Sequence, residues 1–310
     1  MGRYLHIVSK DYAGALEQYT QGLKIDPNNA ILLARAAGVE QTFGRWDDAQ
    51  AHLAQAARLD PRSVITARGY AFLLHDMRRF QEAAAEANRA LALSPANASL
   101  VQMKSTNFLS MGLLDSAHAT IRDALKRIDT TLLLVRFAKY QEQMWVLEPQ
   151  FWPMITKLTP ADFDGDRGHW GLKVGGTWKL LGDTVKARAF GDSARLAFEA
   201  QLAQFPEEAQ LHELRGRALA LGGHKAEAIE EADRSLKARE TSLDAATGPY
   251  VKYQVARILI QAGDNERALD LIEPLLRENG SDLTPAFLRL DPIFKPLRGN
   301  PRFDRLIAQN

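Results

Sequence analysis

Lys24-Ile25-Asp26-Pro27, Arg58-Leu59-Asp60-Pro61 and Ala92-Leu93-Ser94-Pro95 align without a gap, and their prolines stand 34 residues apart. Twelve residues before each proline is an alanine (Ala15, Ala49, Ala83), and three before each alanine an aromatic (Tyr12, Trp46, Phe80). Five residues before the prolines stand Gly22, Ala56 and Ala90. Small side chains at fixed places let a helix approach its partner closely. The aromatic opens that helix and fills the space beside the small residue, and the proline ends it by pushing the preceding residue out of the α region. Gly44 and Gly112 fall where two helices join, a place for a left-handed backbone. Asp47-Asp48 and Gln81-Glu82 load the start of the second helix with negative charge or acceptors, which suits the helix dipole. A strict period of this length predicts helix pairs stacked as a solenoid, each leaning on its neighbours.

These marks resemble the tetratricopeptide repeat, and the resemblance implies an all-α, right-handed α-solenoid. It is most specific over residues 1–129, where a fourth unit carries Gly112, Leu114, Ala117 and Ala124 but has Asp129 in place of the terminal proline. The first unit lacks the beginning of its first helix: Arg3-Tyr4-Leu5-His6-Ile7-Val8 reads as the second half of one. The expectation is that the chain is a piece of something longer, with Met1-Gly2 an added start and the apolar face of the next helix (Leu16, Tyr19, Leu23) left open.

Residues 130–166 keep helical periodicity and lose the repeat marks. Leu132, Leu133, Val135, Phe137, Ala138, Tyr140 and Met144 predict one buried helix, and Glu148 to Leu158 a second, shifted or kinked by Pro153. Thr159 to Asp166 reads as a loop, so the segment is a degenerate joint between two arrays. Repeats resume over residues 167–280. Gly182, Ala187, Ala194 and Phe198 mark a lengthened helix running to Gln204 before Pro206; Gly216, Gly223, Ala228 and Ala232 mark the next unit; Ala256, Gly263, Ala268 and Leu275 the last. The connection Lys237–Gly248 is longer than standard.

Residues 281–310 contain the sharpest single motif, Phe287-Leu288-Arg289-Leu290-Asp291-Pro292-Ile293-Phe294-Lys295-Pro296-Leu297 followed by Asn300-Pro301-Arg302-Phe303. It resembles the tail that closes tetratricopeptide arrays in multidomain bacterial signalling proteins, where the array follows a serine/threonine kinase or nucleotide cyclase domain. Physically it reads as a cap, its apolar residues covering the open end of the last helix pair.

The 310 residues carry 39 Lys+Arg against 38 Asp+Glu, a net charge of +1, which disfavours a nucleic-acid binder. With no cysteine, disulfides, thiolate metal sites and cysteine nucleophiles are excluded. No apolar run approaches the roughly 18–20 residues that span a bilayer, and no signal-peptide core is visible, so the default location is cytoplasmic. No Gly-rich phosphate loop, His-Arg-Asp or Asp-Phe-Gly triplet occurs, and Gly175-Gly176-Thr177 is close helix packing rather than a phosphate cradle. The seven histidines form no ligand pair. Asp162, Asp164 and Asp166 alternate as in a calcium loop, but Arg167 and Lys173 occupy the places of its glycine and bidentate glutamate. No catalytic residue, metal ligand or cofactor is expected, and the chain itself reads as a non-enzyme.

In tetratricopeptide arrays the first helix of each pair lines the concave face. Counting from the aligned units, that face holds Arg68, Phe72 and His75, then Gln102, Thr106 and Leu109, His169, Leu172 and Lys179, Glu213 and Arg217, and Tyr253 and Arg257. The Lys and Asn of the family's carboxylate-clamping subtype are replaced by Ala34, Gly38, Gly69, Ser99 and Met103. The second array keeps a basic and aromatic groove suited to an acidic or aromatic peptide. The expected role is a protein-protein interaction scaffold binding a peptide or partner domain; the alternatives are self-association as a homodimer and, less favoured, a nucleic-acid-binding helical repeat.

Overall fold

The computed structural model describes residues 2–7, 9, 11–139, 143–239 and 245–309. A short α1 (Gly2–Ile7) precedes α2 (Tyr12–Ile25), α3 (Ala30–Thr42), α4 (Trp46–Leu59), α5 (Val64–Asp76), α6 (Phe80–Leu93), α7 (Ala98–Ser110) and α8 (Leu114–Ala124). α2, α4 and α6 open on the aromatics Tyr12, Trp46 and Phe80. They end two residues short of the prolines, and Asp26, Asp60 and Ser94 leave the helix at φ −131°, −134° and −141°. Asn29, Ser63 and Asn97 then start the following helices, their side-chain oxygens accepting from the backbone N–H of Leu32, Thr66 and Leu100 at 3.1, 3.2 and 3.2 Å. Ala15, Ala49, Ala83 and Ala117 are completely buried where neighbouring helices cross.

The turn between the helices of a pair needs a left-handed residue at one fixed place. Gly44 and Gly112 take φ +70° and +78° there. Midway between them, 34 residues from each, Arg78 takes φ +61° without being glycine. Its guanidinium donates to the carbonyls of Ser281 and Leu283 at 3.0 and 2.9 Å, contacts that a glycine would forfeit.

The joint is more broken than its periodicity predicts. α9 (Thr130–Lys139) buries Leu133, Leu134, Phe137 and Ala138, but Leu132, expected inside, lies on the solvent side and is 56% exposed. Tyr140 lies outside the described residues. In place of one helix from Glu148 to Leu158 stand a 3-10 turn, Pro149–Phe151, and the single turn α10 (Trp152–Ile155), because two prolines four residues apart prevent a continuous hydrogen-bond ladder. Thr159 and Asp162 form a capping box over a further 3-10 turn, and the Asp166 side chain caps the next helix through the His169 N–H at 2.9 Å.

Hairpin stacking resumes with α11 (Arg167–Leu180), α12 (Thr184–Leu202), α13 (Ala209–Gly222), α14 (Lys225–Arg239), α15 (Gly248–Ala262) and α16 (Asn265–Leu275). α12 is the lengthened helix, and it crosses α13 closely: a Cβ on Gly191 would stand 2.6 Å from the Gly222 nitrogen. The tail folds as α17 (Pro285–Leu290), a 3-10 turn Pro292–Leu297, and α18 (Pro301–Ile307). Phe287, Phe294 and Phe303 are buried, each ring contributing about 2–3 kcal/mol of apolar transfer free energy. The architecture is thus an all-α solenoid of helix hairpins closed by a C-terminal cap, with no strand among the described residues.

The cap does more than cover an end. The 3-10 turn packs on α15 and α18 on α16, as expected, but α17 packs on α7, far back in the first array. One hydrophobic core therefore joins Val101, Leu109 and Ile121 to Ile258, Leu283 and Phe287. Three successive hairpin turns of the first array are tied through their backbone carbonyls to the second array and the cap. The Ala245 N–H donates to Thr42 O at 2.9 Å, the Gly280 N–H to Asp76 O at 2.7 Å, and the Thr284 hydroxyl to Ser110 O at 2.6 Å. The helix α2 face expected to lie open is covered instead: Tyr19 is buried, and Leu16 and Leu23 cluster with Leu5 of α1.

Candidate functional site

The curl divides the residues expected on the concave face into two groups. Phe72, His75 and Tyr253 line a chamber of about 300 Å³ between α5, α7 and the start of α15, floored by Gly280, Ser281 and Asp282. Gln102 and Thr106 line the same chamber. Lys179, Arg217 and Arg257 line a separate cleft of about 430 Å³ between α11, α13, α15 and the 3-10 turn Pro292–Leu297. Arg68 is exposed and lines neither. His169 sits at the start of α11, 2.7 Å from Asp166 and edge-on to Phe198, away from both spaces.

In the chamber the chain's own segment occupies the surface that the first array would offer a ligand. Both ring nitrogens of His75 face acceptors: Asn107 Oδ1 at 3.0 Å and Asp282 Oδ1 at 2.6 Å. The Asn107 amide nitrogen is engaged with Met103 O, which fixes its oxygen toward the ring. Two acceptors require two N–H donors, so the ring is an imidazolium. Burial opposes that charge, but the bond and charge of Asp282, with Asp76 and Asn107 adding, outweigh it and raise the His75 pKa to about 9. The Ser110 hydroxyl donates to Asp282 O at 2.8 Å, completing a strap of backbone and side-chain contacts over residues 280–284.

The cleft has a different balance. The capping turn supplies Asp291, which is buried and committed: its carboxylate accepts from Arg257 at 2.6 Å, from the Tyr253 hydroxyl at 2.8 Å and from the Ile293 N–H at 2.9 Å. Burial, with Asp291 adding, holds the Tyr253 phenol well above its usual range, so Tyr253 stays a neutral donor. Arg217 is paired with Glu213 on its own helix at 3.0 Å. Lys179 and Lys295 remain. Among the described residues neither ammonium has a carboxylate within 4.0 Å, and Lys179 donates to the neutral Gln261 amide at 2.9 Å. Lys179 is exposed at the mouth of the concave wall; desolvation by that wall, then the charge of Arg257, lower its pKa. Trp145, Leu172, Leu221, Ile260 and Pro292 give the cleft its apolar lining.

The sequence placed Lys179, Arg217 and Arg257 together by counting helix positions. It missed the other wall, since Asp291-Pro292 and Lys295 read only as parts of a cap, and Trp145 belongs to the joint, where no repeat position could be assigned. Among the described residues no group of three or more His, Asp or Glu side chains could hold a metal ion, and no helix is long and apolar enough to cross a membrane.

A stack of helix hairpins with a lined cleft defines a helical-repeat scaffold. Residues 8–69 and 180–242 each match the family description "Tetratricopeptide repeat", so these two segments of the chain are tetratricopeptide repeats. The small glutamine-rich tetratricopeptide repeat-containing protein 2 of Mycosarcoma maydis is 26% identical over 89 residues, which is 29% of this chain and 25% of that protein. The chain thus matches a quarter of that relative's length. Solved structures of similar fold include a tetratricopeptide repeat protein from Parabacteroides merdae, 13% identical over 87% of this chain and 88% of that one, with a TM-score of 0.40. The APC/C hetero-tetramer Cut9-Hcn1 is 14% identical over 96% of this chain and 52% of the other, with a TM-score of 0.48. YrrB, described as a tetratricopeptide repeat protein with an unusual peptide-binding site, is 16% identical over 73% and 94%, with a TM-score of 0.34.

Proposed function

We propose that the chain is a protein-protein interaction scaffold that takes a segment of a partner protein in the cleft between α11, α13, α15 and the capping turn. The observation that carries this reading is the contrast between the two faces. The first array's face is partly covered by residues 280–284 of the chain itself, which leave a chamber of about 300 Å³, while the second array's cleft is larger at about 430 Å³. Repeat hairpins make such a surface rigid in advance, so a bound segment bears most of the ordering cost. The similarity of the tail around Phe287–Leu297 further supports a place as the C-terminal repeat region of a bacterial signalling protein, working in the cytoplasm.

The test is site-specific photocrosslinking in cells. A benzophenone side chain at Gln261, inside the cleft, is expected to capture a defined partner segment, while the same group at exposed Leu132 is not. Equal labelling from both positions would remove the cleft as the binding site. The coding sequence upstream of Met1 tests the signalling assignment: a kinase or cyclase domain supports it, and an unrelated domain refutes it.

A further inference from the structure

The charge arithmetic of the cleft goes further than a generic protein-binding surface. Its buried arginines are ion-paired, Arg257 with Asp291 and Arg217 with Glu213. What remains is the pair Lys179 and Lys295, from α11 and from the capping turn, both exposed and both lining the same cleft. Neither has a carboxylate partner among the described residues. Elsewhere on this surface basic side chains commonly do: Arg79 pairs with Glu82, Arg195 with Glu199, Lys252 with Glu278 and Arg302 with Asp270. Two ammoniums without a carboxylate partner, lining one apolar space, set up a positive field there.

We infer that this cleft selects an acidic segment of a partner protein, with Lys179 and Lys295 pairing its carboxylates and Trp145, Ile260 and Pro292 gripping an apolar residue next to them. The inference rests on the cleft being the binding site, as proposed above. It also makes the cap part of the reading surface: without the turn Pro292–Leu297 the cleft loses Lys295 and one wall. Electrostatic pairing of this kind discriminates among partners and speeds encounter more than it raises affinity, so its mark is a charge-dependent ratio that shrinks with salt.

The experiment uses the full chain and three fluorescein-labelled peptides that alternate leucine and phenylalanine with glutamate, with glutamine or with lysine. Fluorescence anisotropy at low salt is expected to show the glutamate peptide binding at least about tenfold more tightly than the glutamine peptide, and the lysine peptide weakest. Combining Lys179→Glu with Lys295→Glu, both surface changes, should abolish the glutamate peptide's advantage over the glutamine peptide. Far-UV circular dichroism of the doubly substituted chain should match the parent. If the glutamate and glutamine peptides bind alike, or charge reversal leaves their ratio unchanged, the acidic selectivity is wrong while the cleft survives as a site. If no peptide binds, and crosslinking from Gln261 captures nothing, both this inference and the cleft reading fall.

Discussion

Removing the His75 ring should cost stability in a way that depends on pH, and the dependence can be worked from the geometry. His75 is buried with both ring nitrogens donating, to Asn107 and Asp282, and its pKa stands at about 9 against an ordinary 6.5. A folded-state pKa above the unfolded one means that the folded chain holds the proton more tightly. The contribution is complete below pH 6.5, shrinks as pH rises, and is gone once pH passes about 9. Each unit is 1.36 kcal/mol, so the gap corresponds to about 3 kcal/mol at most. Asp282 and Asp76 act on the charge of the ring, and Arg78 lies near Asp282. Comparing the parent chain with His75→Gln by urea unfolding at pH 6, 7, 8 and 9.5 isolates the ring, since every other group titrates in both. The expected difference is of the order of 3 kcal/mol at pH 6 and falls toward zero by pH 9.5. Hydrogen exchange at the Gly280 N–H, which is bonded to Asp76 O, should accelerate in parallel. A difference that stays constant from pH 6 to 9.5 would refute the imidazolium assignment.

Arg78→Ala should destabilise by about 2–4 kcal/mol, losing two charge-assisted bonds while keeping a left-handed non-glycine residue; Arg78→Gly should recover about 1 kcal/mol of that loss, measurable by urea denaturation. Gly191→Ala should cost about 1–3 kcal/mol by forcing α12 away from α13, and a rise in stability would contradict the close crossing. Asp166 caps α11 and bonds His169, which hold its pKa at about 2; Asp166→Ala should therefore cost about 1 kcal/mol at neutral pH, and the difference from the parent should vanish as pH falls from about 4 through 2 in acid titration.

What could be read from the sequence was local. A 34-residue spacing of Pro27, Pro61 and Pro95, with alanines in phase, fixes where helices stop and which faces touch, because both effects act within a few residues of their cause. The curl was not readable. It depends on Ala245, Gly280 and Thr284 meeting turns about 170 to 200 residues away, and none of these residues carries a periodic mark. Arg78 was the one local hint, a bulky residue where its two counterparts are glycines, and its reason is visible only with the strap in place. Lys179, Arg217 and Arg257 could be counted onto one face, whereas their burial, their partners and the opposing wall come from that same long-range packing. The joint misled for a simpler reason: apolar periodicity around Glu148–Leu158 survives there, but proline spacing prevents the helix.

The three ties between hairpin turns and the second array have a consequence for how such a chain can change over generations. An open stack of repeats can gain or lose a unit anywhere, since each touches only its neighbours. Here Thr42, Asp76 and Ser110 must arrive opposite Ala245, Gly280 and Thr284. Duplicating or deleting a hairpin between them would throw the two halves out of step, as an extra link does to a clasped bracelet. The number of units is thereby frozen, and variation is steered toward side chains lining the cleft.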